Sequence, residues 1–121
     1  MKTEKQLQGL AGEDQAANLL IQKGYTILER NWRCGHLEVD IIAENTDYLV
    51  IVEVKTRKNT LFGNPEIFVD KQKQRHLIRA AMYYAKFKGV TKEIRFDIVS
   101  VVNSPDCHEV NHIENAFKPK W

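Results

Sequence analysis

The stretch LVIVEVKTRK, Leu49 to Lys58, constrains the fold more than any other part of this chain. Its opening is apolar and largely β-branched, the composition of a buried strand. Glu53 and Lys55 interrupt it, one residue apart. An acid and an amine carried into a core are costly unless neighbouring groups or a cation compensate them. The elements on either side of this strand therefore have to account for the pair.

Those elements can be read from periodicity. Residues Thr3 to Lys23 read as a helix, with Leu7, Leu10, Ala11, Ala17, Leu20 and Ile21 at helical spacing and Gly24 as a stop. Strands are expected over Tyr25–Trp32, His36–Ala43 and Tyr48–Arg57, with the turn ENTD (Glu44–Asp47) between the last two. KNTLFGNP, Lys58 to Pro65, reads as an exposed loop. A long helix follows over Asp70–Lys88, ended by Gly89, then a strand over Glu93–Val102 and a short fifth strand near Val110–Ile113. The order α-β-β-β-α-β-β puts a helical crossover between strands three and four, so those two should be parallel. The expected fold is α/β, a mixed central sheet flanked by helices.

At 121 residues the chain fits one domain, residues 1–121. With 43% hydrophobic residues it can bury a core without disulfides or zinc. Cys34 and Cys107 lie far apart and outside any CxxC pattern, which points to reduced thiols in a cytoplasmic protein. No apolar run reaches transmembrane length, and MKTEKQLQGL is not a signal peptide. Net charge is only +2, so any nucleic-acid partner must be met by a local patch. Basic residues do cluster, in Lys55–Lys58 and in Lys71–Arg79.

Strand alternation places Val50, Val52 and Val54 on one face of the third strand and Leu49, Ile51, Glu53, Lys55 and Arg57 on the other. In the second strand it groups Leu37, Val39 and Ile41 against His36, Glu38, Asp40 and Ile42. If ENTD forms the loop, Ala43 faces Tyr48, Glu53 faces Glu38, and Asp40 is the diagonal neighbour of Glu53. The Cβ atoms of Asp40 and Glu53 would then be about 5.5–8 Å apart, close enough for both to reach one cation. Glu38, Asp40, Glu53 and Lys55 gather on one face in this reading. A hard divalent ion such as Mg²⁺ would relieve the repulsion among the acids, and Lys55 would hold a water or neutralise charge developing on a phosphate. An ordinary charged strand face, laced by surface ion pairs, is the competing account. Glu13 and Asp14 both lie at the margin of the first helix's apolar stripe, and spacing does not choose between them. His36, His76, His108 and His112 form no metal-binding pattern, and Trp32 reads as a packing residue.

Seven stretches in order carry a resemblance. They are GEDQAANLL (Gly12–Leu20), GYTILERNWR (Gly24–Arg33), LEVDIIA (Leu37–Ala43), IVEVKTR (Ile51–Arg57), FGNP (Phe62–Pro65), RFDIVSV (Arg95–Val101) and NAF (Asn115–Phe117). Together they resemble the YraN family of small bacterial proteins. That family is similar to the PD-(D/E)xK nuclease superfamily, with its restriction-endonuclease-like fold, and above all to archaeal Holliday-junction resolvases. The resemblance implies that Asp40 is the motif aspartate, Glu53 and Lys55 are the E-x-K, and Glu13 rather than Asp14 is the helix glutamate. Asp40 and Glu53 would bind Mg²⁺ or Mn²⁺. Glu38 occupies the acid of a GE(I/V)D pattern whose glycine is replaced by Leu37, and Val39 stands where the superfamily motif has proline. Lys73 matches a family lysine at the start of the long helix. With Lys58, Lys71 and Arg75 it would hold phosphates. Asp97 also matches, as a partner for Arg95.

The expected function is metal-dependent hydrolysis of phosphodiesters in DNA, branched or single-stranded. The alternative is a catalytically silent nucleic-acid-binding module of a repair or processing complex. A resolvase cuts two strands symmetrically, which implies a homodimer.

Overall fold

The computed structural model describes the backbone of residues 4–57, 69–104 and 107–120, and side chains from Gly12 onward within those ranges except Cys107. The expected loop Lys58–Pro65, with Lys58 and Phe62, lies outside the described residues, as does Trp121. Two helices and five strands follow the expected order: α1 (Glu4–Gln22), β1 (Thr26–Cys34), β2 (Leu37–Glu44), β3 (Tyr48–Arg57), α2 (Lys71–Lys88), β4 (Glu93–Ser104) and β5 (Cys107–Phe117). The strands form one sheet in the order β1-β2-β3-β4-β5. Only the β3–β4 pair is parallel, as the helical crossover requires; the others are antiparallel. This mixed α/β architecture is consistent with a restriction-endonuclease-like fold.

The helices cover opposite faces of the sheet. Ala16, Ala17 and Leu20 of α1 pack with Ile41, Ala43, Val50, Val52, Val99 and Val101. Leu77, Ala80, Ala81 and Tyr84 of α2 pack with Leu37, Val39, Ile42, Leu49, Ile51, Phe96 and Ile98. Burying β-branched and leucine side chains on both faces supplies the main driving force, about 1.5–3 kcal/mol for each large apolar side chain. The second helix is sharply bounded. Asp70 caps it by accepting the Lys73 N–H, and Gly89, at φ 64°, closes it in a left-handed cap that donates to Ala85 and Lys86 carbonyls.

The structure corrects three expectations. First, β5 runs over eleven residues instead of a short segment near Val110–Ile113. It is a polar edge strand whose alternation is broken at Asn115, φ 54°, beside a register shift between Phe96 and Ile98. Its period-2 signal is therefore weak. Second, the β2–β3 turn centres on Thr46 and Asp47. Asn45 donates its N–H to the Tyr48 carbonyl, and its side-chain oxygen accepts the N–H groups of Asp47 and Tyr48. This Asx-type closure pairs Ala43 with Val50 and Glu44 with Leu49. The hairpin is thus offset by two residues from the expected register. An even offset keeps every side chain on its face. Its effect is to bring Asp40 directly across from Glu53, where the expectation had Glu38.

Third, alternation fails in β2. Leu37 and Val39 pack on the α2 face, but Ile41 packs on the α1 face only two residues later. The grouping of Leu37, Val39 and Ile41 on one side is therefore incorrect. Asp40 stands at the inversion. The neighbouring strand inverts with it: Arg30 ion-pairs with Asp14 of α1, whereas Trp32 packs edge-on against Tyr84 of α2. Between them Asn31 adopts a left-handed backbone at φ 51°. Because both strands turn over together, the ladder stays in register, with Arg30 paired to Ile41 and Trp32 to Val39.

Candidate active site

The β2–β3 ladder ends at the Ile41–Val52 pair. Beyond it the backbone groups of β3 need other partners, and Asp40 provides one: its carboxylate accepts the Val54 N–H at 2.8 Å. A side chain thus takes the place of a ladder bond where the strands part. This holds Asp40 at the opening and aims it at β3.

Glu53 lies at the same opening and is only 7% exposed. Burial, the neighbouring Asp40 charge and a hydrogen bond shared with the Asp40 carboxyl push its pKa up to about 7, against the smaller opposing effects of Lys73 and Lys55. The ammonium of Lys73, from the first turns of α2, lies 3.6 Å from Glu53 Oε2. Lys55, two residues along β3 and half-buried, adds a second positive charge. Buried Glu53 and half-buried Asp40 are therefore bracketed by cations but not neutralised by them.

Glu13 approaches from the other face. It is half-buried on α1, and its carboxyl is raised by burial and by Asp40, with Arg30 and a hydrogen bond from Asn31 acting in the opposite sense. Asp14, which spacing could not distinguish from it, is exposed and ion-paired with Arg30 at 2.8 Å. Close approach of α1 to β3 at Gly12 positions Glu13. A Cβ at residue 12 would lie 2.4 Å from Thr56 Oγ1, so only glycine lets the helix settle here without displacement.

Glu13, Asp40, Glu53, Lys55 and Lys73 thus form one neighbourhood built from both helices and two strands. Glu38 does not join it closely. Its side chain is exposed, meets Arg33 at 3.5 Å, and makes the weakest contribution among the charges acting on Glu13. Lys71 and Arg75 are exposed at the start of α2. Sequence reading missed Asn31. The available signal was an asparagine inside a strand, where its propensity is poor and its tolerance of the left-handed region high.

The donor set is all oxygen. Among the described residues no three histidine, cysteine or acidic side chains converge as a metal cage. Two carboxylates are a donor set that suits Mg²⁺ or Mn²⁺, which take one or two of them and retain waters. Half-buried Asp40 and buried Glu53 are the residues that could hold such an ion.

Asp97 has a different role. It is buried in β4 and binds Arg95 through both oxygens, at 2.9 and 2.8 Å, while accepting from His112 at 2.6 Å and from the Asn115 N–H at 3.0 Å. Lys23 Nζ lies 2.6 Å from His112 Nδ1. Burial alone would raise the Asp97 carboxyl, but hydrogen bonds from His112, Arg95 and Asn115 hold it below its ordinary value. This network ties the end of α1 to β4 and β5. His36 and His76 meet edge to face, with ring centres 5.8 Å apart. No helix among the described residues is long and apolar enough to cross a membrane.

Comparison with known proteins places these residues in context. The model described as "Uncharacterised protein family UPF0102" matches residues 12–101, which span every residue of the site. A UPF0102 protein of Phocaeicola vulgatus is 47% identical over 111 residues, 92% of either chain. One from Bacteroides thetaiotaomicron is likewise 47% identical over 111 residues, with the same coverage. One from Persephonella marina is 43% identical over 112 residues, 92% of this chain and 93% of the relative.

Proposed function

The chain belongs to the uncharacterised protein family UPF0102, the YraN family whose motifs its sequence resembles, and from its site we propose that it is a metal-dependent nuclease-like protein hydrolysing phosphodiester bonds in DNA. The observation that carries this reading is the pairing of buried Glu53 with half-buried Asp40 at a parting of two strands, flanked by Lys55 and Lys73. A pair of acids serving only the fold would gain nothing from an arrangement that makes one of them retain a proton to pH 7. A site that exchanges that proton for a cation gains a binding function.

Asp40 and Glu53 would hold Mg²⁺ or Mn²⁺, with Glu13 supporting from α1. The bound ion would polarise the scissile phosphate and make its own water more acidic. Lys55 is placed to orient an attacking water or to stabilise negative charge on the phosphate oxygens. Lys71, Lys73 and Arg75 lie at the start of α2, where their charges favour phosphate. Branched or single-stranded DNA is the favoured substrate, through the family resemblance to junction resolvases. That resemblance also carries the expectation of a homodimer.

The test is Mn²⁺-dependent cleavage of junction, flap, duplex and single-stranded oligonucleotides, with Glu53→Ala and Lys55→Ala beside the wild type. Metal-dependent cleavage lost in both variants supports the reading. Cleavage surviving both substitutions overturns this site. Calorimetry with Mn²⁺ on the wild type and Asp40→Ala separates a silent binding module from a nuclease: no metal-linked heat in either sinks the metal chemistry.

A further inference from the structure

Asn31 lies in the middle of β1, between the Arg30–Ile41 and Trp32–Val39 pairs, and therefore across from Asp40. Its left-handed backbone, φ 51°, is unfavourable for any residue with a Cβ, and asparagine is among the few that enter this region. Its side-chain amide, though exposed, is close enough to the Glu13 carboxyl to favour its ionised form. Ordinary alternation would give Arg30 and Asn31 opposite faces. Instead both turn toward α1, Arg30 to Asp14 and Asn31 to Glu13. Strain inside a regular strand, at the point facing the central aspartate of a site, is the kind that persists when the surrounding structure uses it.

We propose that Asn31 is a positioning residue of the carboxylate site: the inverted backbone aims its carboxamide at Glu13 and holds that acid over Asp40. The amide suits this task because its N–H donates to Glu13 without adding a negative charge beside two other acids. An aspartate of the same shape would repel Glu13, and a β-branched residue, otherwise favoured in strands, would resist the left-handed conformation. The inference rests on the metal-site reading above for its functional consequence, although the positioning itself does not need a metal.

Asn31→Gly isolates the side chain, because glycine adopts the same backbone freely. The variant should unfold at the same temperature as the wild type or higher, while Mn²⁺ affinity by calorimetry falls about tenfold or more, the usual effect of losing a group that orients a ligand. Asn31→Ala should lose both stability and affinity. A glycine variant that binds Mn²⁺ as the wild type does would overturn the role of the amide and leave only a backbone kink. A second measurement covers an ill-folded variant, or a wild type that takes up no metal. Nuclear Overhauser contacts between the Asn31 side-chain amide protons and the Glu13 methylenes, in the metal-free wild-type protein, are expected. Their absence refutes the positioning role. Their presence without any Mn²⁺ binding refutes the nuclease reading alone.

Discussion

The carboxyl groups of Asp40 and Glu53 share a hydrogen bond where β2 and β3 cease to pair. Two acids so close cannot both ionise without cost, and burial increases that cost for Glu53. In the metal-site reading proposed above, a bound cation would relieve that cost.

That cost sets a pH dependence. Glu53 titrates near 4.5 when unfolded but at about 7 when folded. The folded state thus binds more protons than the unfolded state between those values, and stability of the metal-free protein must fall as pH rises from 4.5 to 7. Mn²⁺ affinity should run the other way and level off above pH 7, because the ion displaces the proton. Urea unfolding and calorimetry across pH 5–8 test both slopes. Glu53→Gln should flatten the stability slope, and a slope unchanged in that variant would assign it to another group.

Lys73 provides a partial counter-charge. At pH 8, where Glu53 is ionised, its ammonium repels an incoming divalent ion, so Lys73→Met should tighten Mn²⁺ binding. The lysine is 38% exposed, so solvent screening limits the gain to about 0.5–1 kcal/mol, roughly two- to fivefold. The same substitution should weaken binding to oligonucleotides and lower its salt sensitivity. Loss of metal affinity in this variant would argue that Lys73 props Glu53 in place.

Gly12 governs the distance between α1 and β3. Gly12→Ala improves helix propensity by about 1 kcal/mol but forces a Cβ into Thr56, whose branched side chain yields poorly, at about 1–3 kcal/mol. The expected net effect is a modest loss of stability with a larger loss of Mn²⁺ affinity, as Glu13 is carried away with the helix. Removing the obstruction with Thr56→Ala in the same chain should restore metal binding. Failure of that double variant to recover would exclude helix displacement as the cause.

Asp97→Ala tests the network on the α1 face. It would leave Arg95, whose side chain is only 10% exposed, without its bidentate partner. The loss should be about 3–5 kcal/mol in chemical denaturation, the usual penalty for stranding a buried charge. The wild type should also lose stability as pH falls through the depressed Asp97 value, since this carboxylate stabilises the fold only when ionised. A loss below 1 kcal/mol would place the network outside the structural core.

Much of this was legible in the chain itself. The β-branched run of β3 gave its strand, its two faces and the shared face of Glu53 and Lys55, because period-2 alternation depends only on backbone geometry. The helical spacing and Gly89 gave α2, and α2 in turn required a parallel β3–β4 pair. The arrangement around Asp40 was not legible. Its register depended on how the turn closed, and Asn45 set that through hydrogen bonds that spacing does not encode. The inversion of β1 and β2 at Asn31 and Asp40 broke the alternation on which face assignment rested. The contact of Lys73 with Glu53 joined a helix to a strand distant in sequence. Local periodicity thus determined which elements form and which residues carry charge. Tertiary packing alone decided which charges meet, because that depends on strand offset, local reversal and helix approach, none of which leaves a periodic trace.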